Sequence, residues 1–189
     1  MTAAQRAPAE GYRELRDAYG CFATGVAVAT CTGPSGSAVA VTINSFVSIS
    51  LQPPIVSFAL GQHSRSLEAF LADARFTIHV LEESQRDVAT NFARPATSSW
   101  SGIGHSTVDP GHVVFERYAA VFLCRRLNER RIGDHVVLDG EVTRFEGDLK
   151  AAPLAFCHGR YGTLRLSGPP HAFGDREALP DRDALWSWG

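Results

Sequence analysis

From Gly11 onward the chain alternates short apolar runs with clusters of Gly, Pro, Ser and Asn, and only a few stretches carry a helical period. Tyr12 to Phe22 sets Leu15, Ala18, Tyr19 and Phe22 at helical spacing, which predicts an amphipathic opening helix lying across a sheet. Val26 to Cys31 and Ser37 to Asn44 are β-rich runs, and Gly33, Pro34, Ser35 and Gly36 between them supply turn chemistry, so an antiparallel hairpin is expected. Pro53 and Pro54 punctuate the chain before another apolar strand, Ile55 to Leu60. A short helix is expected over Ser64 to Asp73, with Leu67, Phe70 and Leu71 on one face and Ser64 as its N-cap.

Arg75 to Leu81 alternates Phe76, Ile78 and Val80 with Arg75, Thr77 and His79, the pattern of a half-buried strand. Ser84 and Asp87 resemble a capping box opening a second short helix that runs to about Phe92. Arg94 to Gly111 is rich in Ser, Thr, Gly and Pro and is expected to be a surface loop. Tyr118 to Leu127, His135 to Phe145 and Leu154 to Cys157 complete the strands, with Gly133 and Gly147 at turns. Many strands, two or three short helices and no βαβ rhythm predict a mainly β fold, an antiparallel barrel. Residues 1–11 are expected to be a flexible N-terminus, 12–166 one domain, and 167–189 a C-terminal tail, either an extension or an arm on a partner subunit.

With 189 residues, 44% of them hydrophobic, the chain suits a single core. A formal charge of −2 leaves no basic surplus for nucleic acid or an anionic membrane. The four cysteines form no C-x-x-C pair and a chain of this size needs no disulfide framework, which fits a reducing cytoplasm. Met1 to Gly11 lacks the start of a signal peptide. The longest apolar stretch, Ile43 to Leu60, is broken by Ser, Asn, Gln and two prolines, so a soluble, cytoplasmic protein is expected.

Signatures of nucleophilic catalysis, of a phosphate-binding loop and of a βαβ dinucleotide site are absent from the sequence. The seven histidines never reach metal-ligand spacing, so no metal is expected. Four polar segments at strand ends remain. Thr42-Ile43-Asn44-Ser45-Phe46, with Ser48 and Ser50, would present donors to a planar heterocycle, or would simply be a Ser-rich strand edge. Gly61-Gln62-His63-Ser64-Arg65-Ser66 lies at a strand-to-helix junction, where helix N–H groups, a hydroxyl and a guanidinium would hold an anion, or where Ser64 merely caps. Gly133-Asp134-His135 reads first as turn chemistry. His158-Gly159-Arg160-Tyr161-Gly162 would let the backbone approach a ligand, with Arg160 for phosphate and Tyr161 for stacking.

Taken in order, these segments resemble the short-chain flavin reductase family, the reductase partners of two-component flavin-dependent monooxygenases. The resemblance runs from about Tyr12 to Leu164 and includes Phe22 to Val26, the Asn44-Ser45-Phe46 to Pro53-Pro54 block, Ser64-Arg65-Ser66, Phe76 to Leu81, Asn91-Phe92-Ala93, Gly133-Asp134-His135 and Gly159 to Gly162. It implies an FMN-binding split β-barrel of Greek-key type and a homodimer with one flavin, FAD or FMN, per subunit. It would place Ala38, Val39, Ala40, Val41 and Thr42, with Asn44 and Ser45, along the isoalloxazine. Ala59, Leu60, Gly61, Gln62, His63, Ser64 and Arg65 would carry the ribityl and phosphate contacts, and Ala93 and Arg94 would close the far end. Gly133, Asp134 and His135, with His158, Gly159, Arg160 and Tyr161, would lie where a nicotinamide nucleotide docks.

The implied activity is hydride transfer from NADH, with NADPH open, to the flavin, which a partner oxygenase then consumes. His135 would be the catalytic residue, orienting the nicotinamide or steadying negative charge on the reduced ring. Alternatives are a flavin-retaining oxidoreductase acting on an organic substrate and a non-catalytic flavin-binding protein. The chain departs from the family pattern at Ala40, where Gly is frequent, at Gly61-Gln62-His63, where a Lys is common, at Arg94, where a Lys often stands, and at Ser98-Ser99-Trp100.

Overall fold

The hairpin expected around Gly33 to Gly36 forms: β2 (Ala27–Thr32) pairs with β3 (Ala38–Ile43), from Ala27 opposite Ile43 to Thr32 opposite Ala38. The computed structural model describes residues 11–94, 97–108, 111–148 and 150–165, so the expectations for residues 1–10 and for the 167–189 tail lie outside the described residues. Around that hairpin the chain adds α1 (Tyr12–Tyr19), β1 (Thr24–Gly25), β4 (Val47–Leu51), β5 (Pro54–Gly61), α2 (Leu67–Ala72), β6 (Arg75–Val80) and α3 (Arg86–Phe92). β7 (His105–Val108), β8 (His112–Phe115), β9 (Ala120–Ile132), β10 (His135–Gly147), β11 (Leu154–Cys157) and β12 (Arg160–Thr163) follow.

Seven of these strands form one antiparallel sheet in the order β3-β2-β6-β9-β10-β5-β4. The sheet curls until the end of β3 reaches β5, yet no ladder pair joins the two among the described residues. One side chain bridges them: the Ser45 hydroxyl donates to the Ala59 carbonyl at 3.1 Å and accepts the Ala59 N–H at 3.0 Å. The result is the mainly β, barrel-like architecture expected, left split between β3 and β5.

Both faces of β2 are covered, and this explains why it reads as an unbroken apolar run. Ala27, Ala29 and Cys31 point into the barrel with Phe58, Phe76 and Ile78, while Val28 points outward against Leu81, Ala89, Phe92 and Phe115. α2 closes one end of the barrel through Phe70, edge-on to Phe58 at 5.7 Å, and Phe58 meets Phe76 edge-on at 5.1 Å. Such edge-to-face pairs suit the ring quadrupole and fix the aromatic core. Burial pushes the thiols of Cys31 and Cys124 up to about 12, so both are chemically quiet packing groups.

Several local expectations are corrected. α1 forms, but it does not bury an apolar face on the sheet: none of its residues is buried, and Tyr12, Tyr19 and Phe22 are 67%, 69% and 78% exposed. Ser64 is not the N-cap of α2, which starts at Leu67, because Ser64 belongs to a preceding turn in which its N–H donates to the Gly61 carbonyl. The capping box ahead of α3 is made by Glu82 and Gln85 rather than Ser84 and Asp87. Gln85 wins because its amide is buried and bonded at both ends, accepting the Glu82 N–H and donating to the Arg117 carbonyl. β4 forms where the sequence showed only a Ser-rich run, and the Arg94 to Gly111 segment contains β7, which pairs with β8.

The Gly159 motif is a hairpin turn. Cys157 pairs with Arg160 across β11 and β12, and the two residues between, His158 and Gly159, have φ of 50° and 73°. Positive φ at both central positions is the requirement of a type I′ turn. Among the described residues no helix is long and apolar enough to cross a membrane.

Candidate functional site

The split in the sheet holds a cavity of about 320 Å³. Val41, Thr42, Ile43, Asn44 and Ser45 line one wall, Ala59, Leu60 and Gly61 of β5 the other, with Ser64 and His135 at the rim. The walls are so placed because β3 and β5 approach without pairing, the Ser45 hydroxyl holding them at Ala59. A methyl built on Gly61 would meet nothing within 4 Å, so this glycine leaves the wall open. Thr42 is anchored from behind, its hydroxyl donating to the Ala89 carbonyl of α3 at 2.7 Å. Small side chains and two converging strand ends suit a flat polar ring, and a flavin ring system fits that description.

A second cavity of about 180 Å³ shares Thr42, Ile43 and Asn44 as a wall and adds Val26, Ala93, Phe156 and Tyr161. The end of β3 is thus a partition with a cavity on each side. The Arg86 guanidinium lies 5.8 Å from the centre of the Tyr161 ring, a cation–π contact that fixes that ring.

His135 begins β10, opposite Gly61 on β5 and Ile132 on β9. Its Nδ1 donates to the Asp134 carboxylate at 2.7 Å. An ionised carboxylate only accepts, so Nδ1 carries the proton and Nε2 is the nitrogen left for a ligand. The hydrogen bond from His135, helped by one from the Asp134 backbone N–H, holds the Asp134 carboxyl below its ordinary range. Gly133 and Asp134 are the two-residue tip of the β9–β10 hairpin, with Gly133 at φ 58° as the first central residue. That is the glycine position of a type II′ turn.

The segments singled out in the sequence are distributed as follows. Val41, Thr42, Asn44 and Ser45 reach the first cavity, whereas Val39 and Ala40 pack into the two cores and the Ala38 carbonyl accepts the Trp100 indole N–H at 3.1 Å. Ala59, Leu60, Gly61 and Ser64 line the same cavity, while His63 and Arg65 are exposed beyond it and Gln62 turns to the hairpin tip. Ala93 lines the second cavity and Arg94 is exposed. The two segments expected to meet a nicotinamide nucleotide part company, His135 standing at the first cavity and Tyr161 at the second, while His158, Gly159 and Arg160 are exposed in and beside the β11–β12 turn. Phe156 and Arg86 were singled out by no motif and enter only through their neighbours in space. Among the described residues no group of three or more His, Cys, Asp or Glu side chains could hold a metal ion.

Residues 19–165 match the flavin reductase like domain family. A probable flavin reductase of Rhizobium meliloti strain 1021 is 40% identical over 82% of this chain and 50% of its own length, so the chain spans half of that relative. The flavin-dependent monooxygenase reductase subunit HsaB of Mycobacterium tuberculosis strain CDC 1551 is 32% identical over 88% of this chain and 91% of its own. Among solved structures, the NADH:FAD oxidoreductase SgcE6 of Streptomyces globisporus C-1027 superposes with a TM-score of 0.78 at 26% identity, over 87% of this chain and 99% of that one.

Proposed function

Since the chain belongs to the flavin reductase like family, we propose that it is an NAD(P)H:flavin oxidoreductase that reduces FAD or FMN and passes the reduced flavin to a partner oxygenase. The observation that carries this reading is the cavity between the ends of β3 and β5, which do not pair with each other, walled by small side chains, with the free Nε2 side of an oriented imidazole at its rim. The names of its relatives support it, one being an NADH:FAD oxidoreductase and another the reductase subunit of a monooxygenase.

A bound flavin supplies the hydride acceptor, chemistry that no side chain of the protein provides. The protein contributes position. Asn44, Ser45 and the backbone of both strand ends would hold the flavin ring, and the open side at Gly61 would admit it. Ser64, in the turn after β5, would offer a hydroxyl to the ligand. His135 offers Nε2 to the nicotinamide, and Asp134 keeps that imidazole in one tautomer and one orientation, which favours a near-attack arrangement.

The same reading includes a cytoplasmic homodimer in which the exposed apolar residues of α1 and Phe22 are covered by a second subunit, since a chain that leaves Tyr12, Tyr19 and Phe22 in water invites such a contact. The test of function is oxidation of NADH and of NADPH by the purified protein with excess FMN, FAD or riboflavin. Turnover that saturates with flavin is expected. A protein that oxidises neither nucleotide under these conditions overturns the reading in favour of a flavin-retaining or non-catalytic role.

A further inference from the structure

Gln62 stands one residue beyond the end of β5 and makes two hydrogen bonds to the same two-residue turn. Its backbone N–H donates to the Asp134 carbonyl at 2.9 Å, which continues the β5–β10 ladder one step past the Gly61–His135 pair. Its side-chain Nε2 donates to the Gly133 carbonyl at 2.7 Å. Both carbonyls of the Gly133-Asp134 tip are therefore received by one residue.

The tip has few other restraints. Ile132, Gly133, Asp134 and His135 are all exposed, and a methyl built on Gly133 would meet nothing within 4 Å. The Asp134 carboxylate that orients His135 belongs to the tip itself, so that bond sets the ring relative to the turn but not the turn relative to the cavity. The side chain of Gln62 joins the turn to the Gly61–Ser64 bend, whose Gly61 and Ser64 line the cavity. Gln62 itself is not among the cavity-lining residues.

We infer that Gln62 is a positioning residue whose carboxamide clamps the Gly133-Asp134 turn to the cavity's β5 wall and so sets where the His135 imidazole stands. This role rests on the reductase reading above. Geometry makes the clamp specific. The ladder bond survives any substitution because it comes from the backbone, whereas the bond to Gly133 needs a side-chain donor of the right reach. Loss of that donor leaves the Gly133-Asp134 tip held to β5 by its backbone bond alone, so the Asp134 carboxylate that tethers the ring can shift and the imidazole can turn at the rim while the His135 backbone stays in the ladder. A misplacement of about 1 Å in a positioning group can cost roughly 100-fold in rate. The cost falls on the nicotinamide step, because the β3 and β5 walls of the cavity are untouched. The clamp also makes the two ligands interdependent: whatever orders the Gly61–Ser64 bend orders the turn, and by linkage the reverse holds.

The experiment compares the wild-type chain with Gln62→Leu, which removes the donor, and Gln62→Lys, which restores one of similar reach. Three quantities are read: flavin Kd by fluorescence, the NADH dependence of anaerobic flavin reduction by stopped flow, and hydrogen exchange of the peptide spanning 130–136. Gln62→Leu is expected to keep its flavin Kd, to lose about tenfold or more in the second-order rate with NADH, and to exchange faster at the turn. Gln62→Lys is expected to recover most of both losses. Wild-type NADH dependence in Gln62→Leu overturns the role. So does a fall in flavin affinity that accounts for the whole rate loss with exchange unchanged, since Gln62 would then act on flavin directly. A wild-type chain that reduces no flavin with NADH or NADPH instead overturns the reductase reading, and the exchange comparison still decides whether the clamp exists.

Discussion

The imidazole of His79 meets Phe115 twice, the rings stacking at 4.3 Å between centroids and the Phe115 backbone N–H donating to Nε2 at 3.2 Å. The other nitrogen, Nδ1, donates to the Val28 carbonyl at 3.1 Å, so the neutral ring has both nitrogens satisfied with no solvent exposure. A second proton would have to sit on Nε2, against the N–H of Phe115.

Burial therefore lowers the His79 pKa from 6.5 to about 4, with the bond to Val28 opposing the shift. The unfolded chain takes up a proton below about 6.5 and the folded chain only near 4, so the stabilisation is complete above 6.5 and is lost as the pH falls toward 4. The loss is on the order of 3 kcal/mol, at 1.36 kcal/mol per pKa unit. Urea denaturation between pH 7 and pH 4 is expected to show this slope in the wild type and a shallower one in His79→Phe. Equal slopes would remove His79 from the account.

Replacement of His135 by Ala is expected to slow flavin reduction by NADH by roughly tenfold or more, with flavin affinity kept within a few-fold. Asp134→Ala should fall between this variant and the wild type, since the imidazole remains but loses its tether. Stopped-flow reduction with NADH varied distinguishes these outcomes. A normal limiting rate and NADH dependence in His135→Ala would leave the ring a structural role only.

Two glycines should respond in opposite ways to the same added methyl. At Gly140 the new Cβ would lie far inside contact with the Phe76 ring and 3.2 Å from the Cys124 Cβ, in a core where Phe76 is already held edge-on by Phe58. Overpacking of this kind costs about 1–3 kcal/mol, so Gly140→Ala should lower the denaturation midpoint without a direct effect on ligand. Gly61→Ala meets no neighbour and should leave stability near wild type, yet it narrows the cavity wall. Its flavin Kd is expected to rise by about tenfold if one hydrogen bond's worth of contact is lost. Thermal melts paired with flavin titration read both effects, and unaltered flavin binding in Gly61→Ala would move the flavin away from this wall.

Sedimentation of the wild-type chain at micromolar concentration is expected to give a dimer, and the double variant Tyr19→Glu with Phe22→Glu a monomer. Both side chains are largely exposed in the single chain, so their replacement should leave the monomer folded. A wild-type monomer that binds flavin would contradict the homodimer.

The β2–β3 hairpin and the polar end of β3 were legible because each is a local signal: a four-residue turn cluster between apolar runs, then Thr42, Asn44 and Ser45 interrupting one of them. α1 was legible as a helix but not in its packing, since its spacing says that an apolar face exists and not whether the sheet covers it. His158-Gly159 looked like a flexible approach to a ligand, because the pairing of Cys157 with Arg160 that makes it a hairpin is a property of register. The Glu82–Gln85 box and the role of Gln62 were hidden for one reason: each depends on a carbonyl brought in from far along the chain, at Arg117 and at Gly133. Arg86 was silent because its partner ring, Tyr161, lies far along the chain.

Ser45 makes the meeting of β3 and β5 a rivet rather than a weld, one hydroxyl where a ladder would otherwise run. Past that point no ladder joins the facing edges of the two strands. A flat molecule entering between them would stand in for an absent strand and would meet mostly backbone. A side-chain substitution along this wall that spares the backbone would then leave the kind of molecule admitted unchanged.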